Sequence, residues 1–286
     1  MMDILQWFTA PLANEFMVKA VLVSMLVGLV CSVLSCYMTL KGWALMGDAV
    51  SHAVMPGVVI AYILKIPFAI GAFVFGVGSV LAIGFIKDKT RIKEDTVIGL
   101  VFTGFFALGL VLVSKTPSSV DLTHILFGNV LGISDPDILQ TVIISVITLG
   151  TIAILRKDLL LFCFDPTHAR SIGLNIVALH YCLLSLLSLT AVAGLQTVGI
   201  ILVVAMLVTP GATAYLLTDH FDHMLLLAMA SGVFSSVMGT YLSYYIDGST
   251  GGCIVVVQTL LFILAMIFAP KHGLLAQSRK QGSLKT

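Results

Sequence analysis

Residues 20–40 read Ala20-Val21-Leu22-Val23-Ser24-Met25-Leu26-Val27-Gly28-Leu29-Val30-Cys31-Ser32-Val33-Leu34-Ser35-Cys36-Tyr37-Met38-Thr39-Leu40, without one charged residue. A helix needs about 20 such residues to cross the hydrocarbon core of a bilayer. Working outward, the same signature recurs over residues 42–64, 68–86, 96–114, 138–155, 224–246 and 252–270. Residues 176–217 are too long for one span and are split near Gly194-Leu195-Gln196. The chain therefore reads as an all-α polytopic membrane protein, a bundle of eight or nine transmembrane helices. Nine is the count adopted; eight or ten stay open, because the second span and the split are weakly marked.

Composition says the same. Of 286 residues, 59% are hydrophobic and 10% charged, and mean hydropathy is +1.10. Soluble domains carry about 25% charged residues. The net charge is +1, and no basic cluster with interleaved aromatics suggests a nucleic-acid partner. Cys31, Cys36, Cys163, Cys182 and Cys253 form no C-x-x-C pair and read as packing residues. Residues 1–15 lack a basic n-region, so they read as a retained interfacial segment bearing Trp7 and Phe8 rather than a cleavable signal. One transmembrane domain fills 1–286, with residues 1–16 interfacial, 17–270 the bundle and 271–286 a cytoplasmic tail.

Lys and Arg set the orientation. Lys87, Lys89, Arg91 and Lys93 follow the third span, Arg156, Lys157 and Arg170 the fifth, and Lys271, Arg279, Lys280 and Lys285 the ninth. All three groups are expected on the cytoplasmic side, with the N-terminus and the loop 115–136 outside. Gly71, Gly76, Gly78, Gly104, Gly109, Gly232 and Gly239 lie within spans and permit close helix contact.

The polar features inside this frame are few. Asp48 and His52 sit four apart in Gly47-Asp48-Ala49-Val50-Ser51-His52-Ala53-Val54-Met55-Pro56-Gly57, on one helical face. Intramembrane ionisable groups mark pathways or pair with a partner. Asp with His suits a borderline divalent metal such as Zn, Mn or Fe; the alternative is a pair hydrogen-bonded to a neighbouring helix. Glu94-Asp95-Thr96 at the mouth of the fourth span either caps that helix or lines a cation path. Asp121 and His124 could meet an incoming metal, and the run Asp219-His220-Phe221-Asp222-His223 is metal-like by residue type, but both are expected to be ordinary polar groups of solvated loops and turns. Asp165-Pro166-Thr167-His168-Ala169-Arg170-Ser171-Ile172-Gly173-Leu174-Asn175 has a helix start at Asp165-Pro166 and a stop at Gly173 or Asn175. Such a helix is either a docking surface for a soluble partner or an ordinary connection.

Five elements, in order, resemble the permease subunits of bacterial ABC importers for zinc, manganese or iron. They are Lys41-Gly42-Trp43 through Gly57, Lys93-Glu94-Asp95-Thr96-Val97-Ile98-Gly99, Leu126-Phe127-Gly128-Asn129-Val130-Leu131, Asp165 through Leu174, and Gly194-Leu195-Gln196-Thr197-Val198-Gly199 running to Thr209-Pro210-Gly211-Ala212-Thr213-Ala214. The resemblance implies a multi-pass protein of the bacterial inner membrane, working as a homodimer or as a heterodimer with a paralogous permease. It also implies cytoplasmic ATP-binding subunits and an extracytoplasmic metal-binding protein. Asp48 and His52 are then on the metal pathway, with Glu94 and Asp95 as weaker candidates. Asp165, Ala169 and Gly173 belong to a cytoplasmic coupling helix, where a bulky charge at Ala169 is expected to uncouple the ATPase and leave the permease folded. No cofactor is bound permanently; the divalent metal is cargo, with Mn(II) or Fe(II) expected and zinc the alternative. The chain carries no G-x-x-x-x-G-K-[ST], so the usual ATP-binding loop must come from another subunit, and it is not expected to be an enzyme. An ATP-independent channel or secondary transporter is the competing class. An intramembrane metalloprotease is disfavoured, because H-E-x-x-H is absent.

Overall fold

The computed structural model describes residues 11–43, 45–116, 132–270 and 273. Trp7, Phe8, Asp121, His124, the element 126–131 and the basic residues of the tail lie outside these. After a 3-10 turn at Pro11–Ala13 the described residues form eleven α-helices: α1 Glu15–Lys41, α2 Met46–Ala53, α3 Met55–Leu64, α4 Phe68–Lys89, α5 Glu94–Lys115, α6 Asp135–Phe164, α7 Pro166–Ser171, α8 Ile176–Val198, α9 Ile200–Leu217, α10 Phe221–Ile246 and α11 Thr250–Phe268. Taking α2 and α3 as one unit, nine spans among the described residues are long and apolar enough to cross a membrane.

Helix α1 is the hub, packed by α6, α8, α9 and α10. Between α1 and α10 the contact is reciprocal. A Cβ on Gly28 would lie 2.5 Å from Ser236 Oγ, and one on Gly232 would lie 2.0 Å from Ser32 Oγ. Each hydroxyl donates back to its own helix, Ser32 to the Gly28 carbonyl and Ser236 to the Gly232 carbonyl. Thus each Gly-x-x-x-Ser turn fits its glycine under the other helix's serine. Lipid supplies no hydrophobic drive between helices, so such close backbone approach is what holds them.

Three expectations need correction. The long apolar run breaks at Gly199, not at 194–196. Gly199 has φ 88° and ψ 162°, a backbone region essentially reserved for glycine, whereas Gly194 is helical. Gly194 is small for another reason: a Cβ there would lie 2.4 Å from Val203 Cγ2. The second span is interrupted at Val54. Pro56 has no N–H for the His52 carbonyl four residues back, and that carbonyl takes the Val54 N–H instead. Finally, residues 156–164 are no loop. They continue α6, because Leu159 and Phe162 are buried in the core while Arg156 pairs with Asp222 of α10.

Gly232→Val should lower the stability of the solubilised protein by about 1–3 kcal/mol or more, the usual cost of overpacking. Gly78→Val should change it little, since nothing lies within 4 Å of a Cβ there. Thermal unfolding of both variants in one detergent checks this; equal losses would refute the Gly28–Gly232 contact as a point of tight fit.

Candidate functional site

Helix α2 is two turns long and is packed by α4, α5, α8 and α9. Its seat on α9 is set by Gly47, where an added Cβ would lie 3.2 Å from Leu207 Cβ. Its other polar group is satisfied locally, Ser51 donating to the Gly47 carbonyl at 2.7 Å. What remains on the open face is the pair. His52 Nε2 lies 3.3 Å from Asp48 Oδ1, with the His52 side chain 27% and the Asp48 side chain 40% exposed. The i, i+4 geometry read from the sequence is therefore realised, within one unbroken helix.

Two aromatic rings that sequence reasoning missed complete the surroundings. Phe102 and Phe106 of α5 both meet the His52 ring edge-on, each at 5.3 Å between centroids. They stack on each other at 5.9 Å, one helical turn apart. Their i, i+4 spacing in Phe102-Thr103-Gly104-Phe105-Phe106 was the available signal, though it reads as lipid-facing surface until α5 is known to lie on α2. Close approach further along comes from Gly109, where a Cβ would lie 3.1 Å from Met55. The rings leave the imidazole little freedom to turn away from Asp48. His52 Nδ1 is buried with no hydrogen-bond partner among the described residues. That nitrogen therefore bonds no neighbouring helix among the described residues.

Glu94 and Asp95 stand at the start of α5, about two turns of helix before the rings that flank His52. Glu94 opens α5 and Asp95 follows it, exposed; Lys93 occupies the cap position without a side-chain cap bond. Phe102 stands seven residues beyond Asp95, about 10 Å along the helix axis. Among the described residues no three His, Cys, Asp or Glu side chains gather at one point. That includes Asp222, paired with Arg156, and His220 and His223, whose rings touch edge-on at 5.7 Å.

Helix α7 is built from both ends. The Asp165 carboxylate accepts from the N–H groups of Thr167 at 2.9 Å and His168 at 3.0 Å. Gly173, at φ 88°, closes the helix, its N–H bonding the Arg170 carbonyl while the Leu174 N–H reaches the Ala169 carbonyl. Asn175 then caps α8 through the Ala178 N–H. Ala169 is fully buried, so a bulky charge there cannot leave the helix seated, contrary to the sequence expectation. Asp165 and Gly173, by contrast, are exposed, together with Phe164, Thr167, His168, Arg170, Ser171 and Ile172.

The chain is 66% identical over 277 residues to the manganese transport system membrane protein MntB of Synechocystis sp., covering 97% of this chain and 90% of that relative. It is 53% identical over 272 residues to the chelated iron transport system membrane protein YfeC of Yersinia pestis, covering 95% and 92%. Among solved structures, PsaBC from Streptococcus pneumoniae in complex with Fab superposes with a TM-score of 0.86 at 38% identity, covering 99% of this chain and all of that one. The family model described as the ABC 3 transport family matches residues 13–269, and the chain, a multi-pass permease of the bacterial cytoplasmic membrane, belongs to that family.

Proposed function

We propose that this chain is the membrane permease of an ATP-driven importer of divalent transition metals, with manganese(II) and iron(II) as its cargo. The observation that carries the proposal is the Asp48–His52 pair, a carboxylate and an imidazole on one turn of an otherwise apolar, aromatic-flanked helix. A hard oxygen and a borderline nitrogen suit Mn(II), Fe(II) and Zn(II) alike. The manganese and iron assignment is supported by the names of the relatives, at 66% and 53% identity. Two protein ligands bind an ion weakly, which a path requires: entry must be favourable and departure easy. Asp48 supplies the balancing charge. His52 supplies a nitrogen whose direction Phe102 and Phe106 hold.

The energy source is proposed to be separate. Cytoplasmic ATP-binding subunits engage α7, an extracytoplasmic metal-binding protein delivers the ion, and two permeases, identical or paralogous, form the translocating unit. The basic ends of α4, α6 and α7 then face the cytoplasm, as their Lys and Arg content dictates. The chain's own role is transport, not catalysis.

Asp48→Asn keeps shape and removes charge; His52→Ala removes the nitrogen. Each should cut metal uptake per inserted permease at least about tenfold, the scale of losing an interaction worth about 1.4 kcal/mol, while insertion and ATPase association persist. Normal uptake by Asp48→Asn would sink the ligand role. Uptake measured with and without the ATPase subunit separates this reading from an ATP-independent channel, which would run equally in both.

At the docking helix the two buried and exposed positions should part company. Ala169→Glu puts a charge into a closed site and should reduce folded yield. Ile172→Glu, at a residue 57% exposed, should leave a folded permease that no longer retains its ATPase on co-purification. Retention of the ATPase by Ile172→Glu would exclude this face as the contact.

A further inference from the structure

A second polar feature lies apart from the metal path. A cavity of about 320 Å³ opens where the ends of α1, α4 and α6 meet α7 and the start of α8. Four basic side chains from four helices line it: Lys41, Lys87, Arg170 and His180. Tyr181 joins them, its hydroxyl 3.0 Å from the place a Cβ on Gly84 would take, so the cavity keeps its depth because residue 84 is glycine. Aromatic groups hold the cations in position. Lys41 Nζ stands 4.1 Å from the Phe162 ring centre and 3.5 Å from the Phe162 carbonyl oxygen. His180 packs edge-on against Trp43 at 5.2 Å. Trp43 itself is 3% exposed and touches both Lys41 and His180, yet its indole N–H has no acceptor among the described residues.

We propose that this cavity is an anion site for a phosphate diester, filled by the headgroup of an anionic phospholipid of the cytoplasmic leaflet. Basic pockets between helices on that side of a membrane are matched to such headgroups. The volume is ample for a phosphate with its glycerol. Its flanks favour a lipid over soluble phosphate: Val177 in the lining and Phe85 beside Gly84 are 60% and 64% exposed, an apolar margin for acyl chains that an inorganic ion would not use. Because Arg170 lies on α7, the bound headgroup ties the docking helix to the ends of α1, α4 and α8. The assignment rests on the cytoplasmic orientation proposed above and is independent of the cargo.

The test is native mass spectrometry of the full-length permease in an uncharged detergent, titrated with phosphatidylglycerol or with phosphatidylcholine of the same chains. One phosphatidylglycerol per chain should be retained in preference to phosphatidylcholine. Lys41→Gln with Lys87→Gln should weaken it about 25-fold, and Lys87→Gln alone about fivefold, following an attraction of about 1 kcal/mol per basic residue. The single variant leaves the ring contacts of Lys41 intact and guards against misfolding of the double. Lys89→Gln with Arg91→Gln removes equal charge from exposed positions outside the cavity and should change nothing. Equal weakening by both pairs would mean diffuse surface attraction and overturn the site. Complete displacement of the lipid by millimolar inorganic phosphate would overturn the lipid assignment. So would unchanged lipid binding with lost ATPase association in the cavity variants, which would give the cavity to an acidic group of the partner. None of these outcomes touches metal uptake, so failure here and failure of the metal path are distinguishable.

Discussion

In hydrocarbon a backbone N–H or C=O has no water to turn to, and every break in a spanning helix must be made good by a neighbour. Helix α9 carries Pro210 in its interior. The turn around it is bonded from α1. Ser35 Oγ accepts the Gly211 N–H at 2.9 Å and donates to the Val208 carbonyl at 3.1 Å. It can reach because residue 211 is glycine; a Cβ there would lie 2.5 Å from the Ser35 carbonyl oxygen. One hydroxyl thus fixes the depth and rotation of α9 against the hub helix. Leu207, one turn below, is the surface on which Gly47 seats α2. The position of the candidate ligands is in this sense inherited from a serine two helices away.

The metal path and the basic cavity follow opposite electrostatic logic. Charge within the bundle is expensive, and the proposed path carries little of it, one carboxylate and one imidazole, with aromatic rings in place of further polar groups. The cavity sits at the helix ends, where lysine stems can lie along apolar surface and their ammonium groups reach polar surroundings. There the chain gathers three cationic groups and an imidazole from distant parts of the sequence.

Much of this was legible in the sequence, for identifiable reasons. The spans follow from length and hydropathy, properties of local composition. The Asp48–His52 face follows from helical periodicity, and the α7 start and stop from Asp165, Pro166 and Gly173. What was not legible depends on neighbours. Gly194 and Gly199 look equivalent as letters, but one is small to admit Val203 and the other bends the backbone. Phe102 and Phe106 become part of the site only when α5 lies on α2. Ala169 reads as a docking residue until its burial shows it to be the foot of the helix.

The interruption at Val54–Pro56 has a mechanical consequence. The separation of Asp48 from His52 is set by one turn of hydrogen-bonded backbone inside α2. The location of that turn is set elsewhere, by the Gly42–Trp43 link at one end and the proline break at the other. Any tilt of α2 therefore carries both donors together. The grip on an ion keeps its span while its bearing toward the rest of the bundle changes. Were that segment to tilt, a two-point clasp of fixed span would turn toward the other side of the membrane without first coming apart.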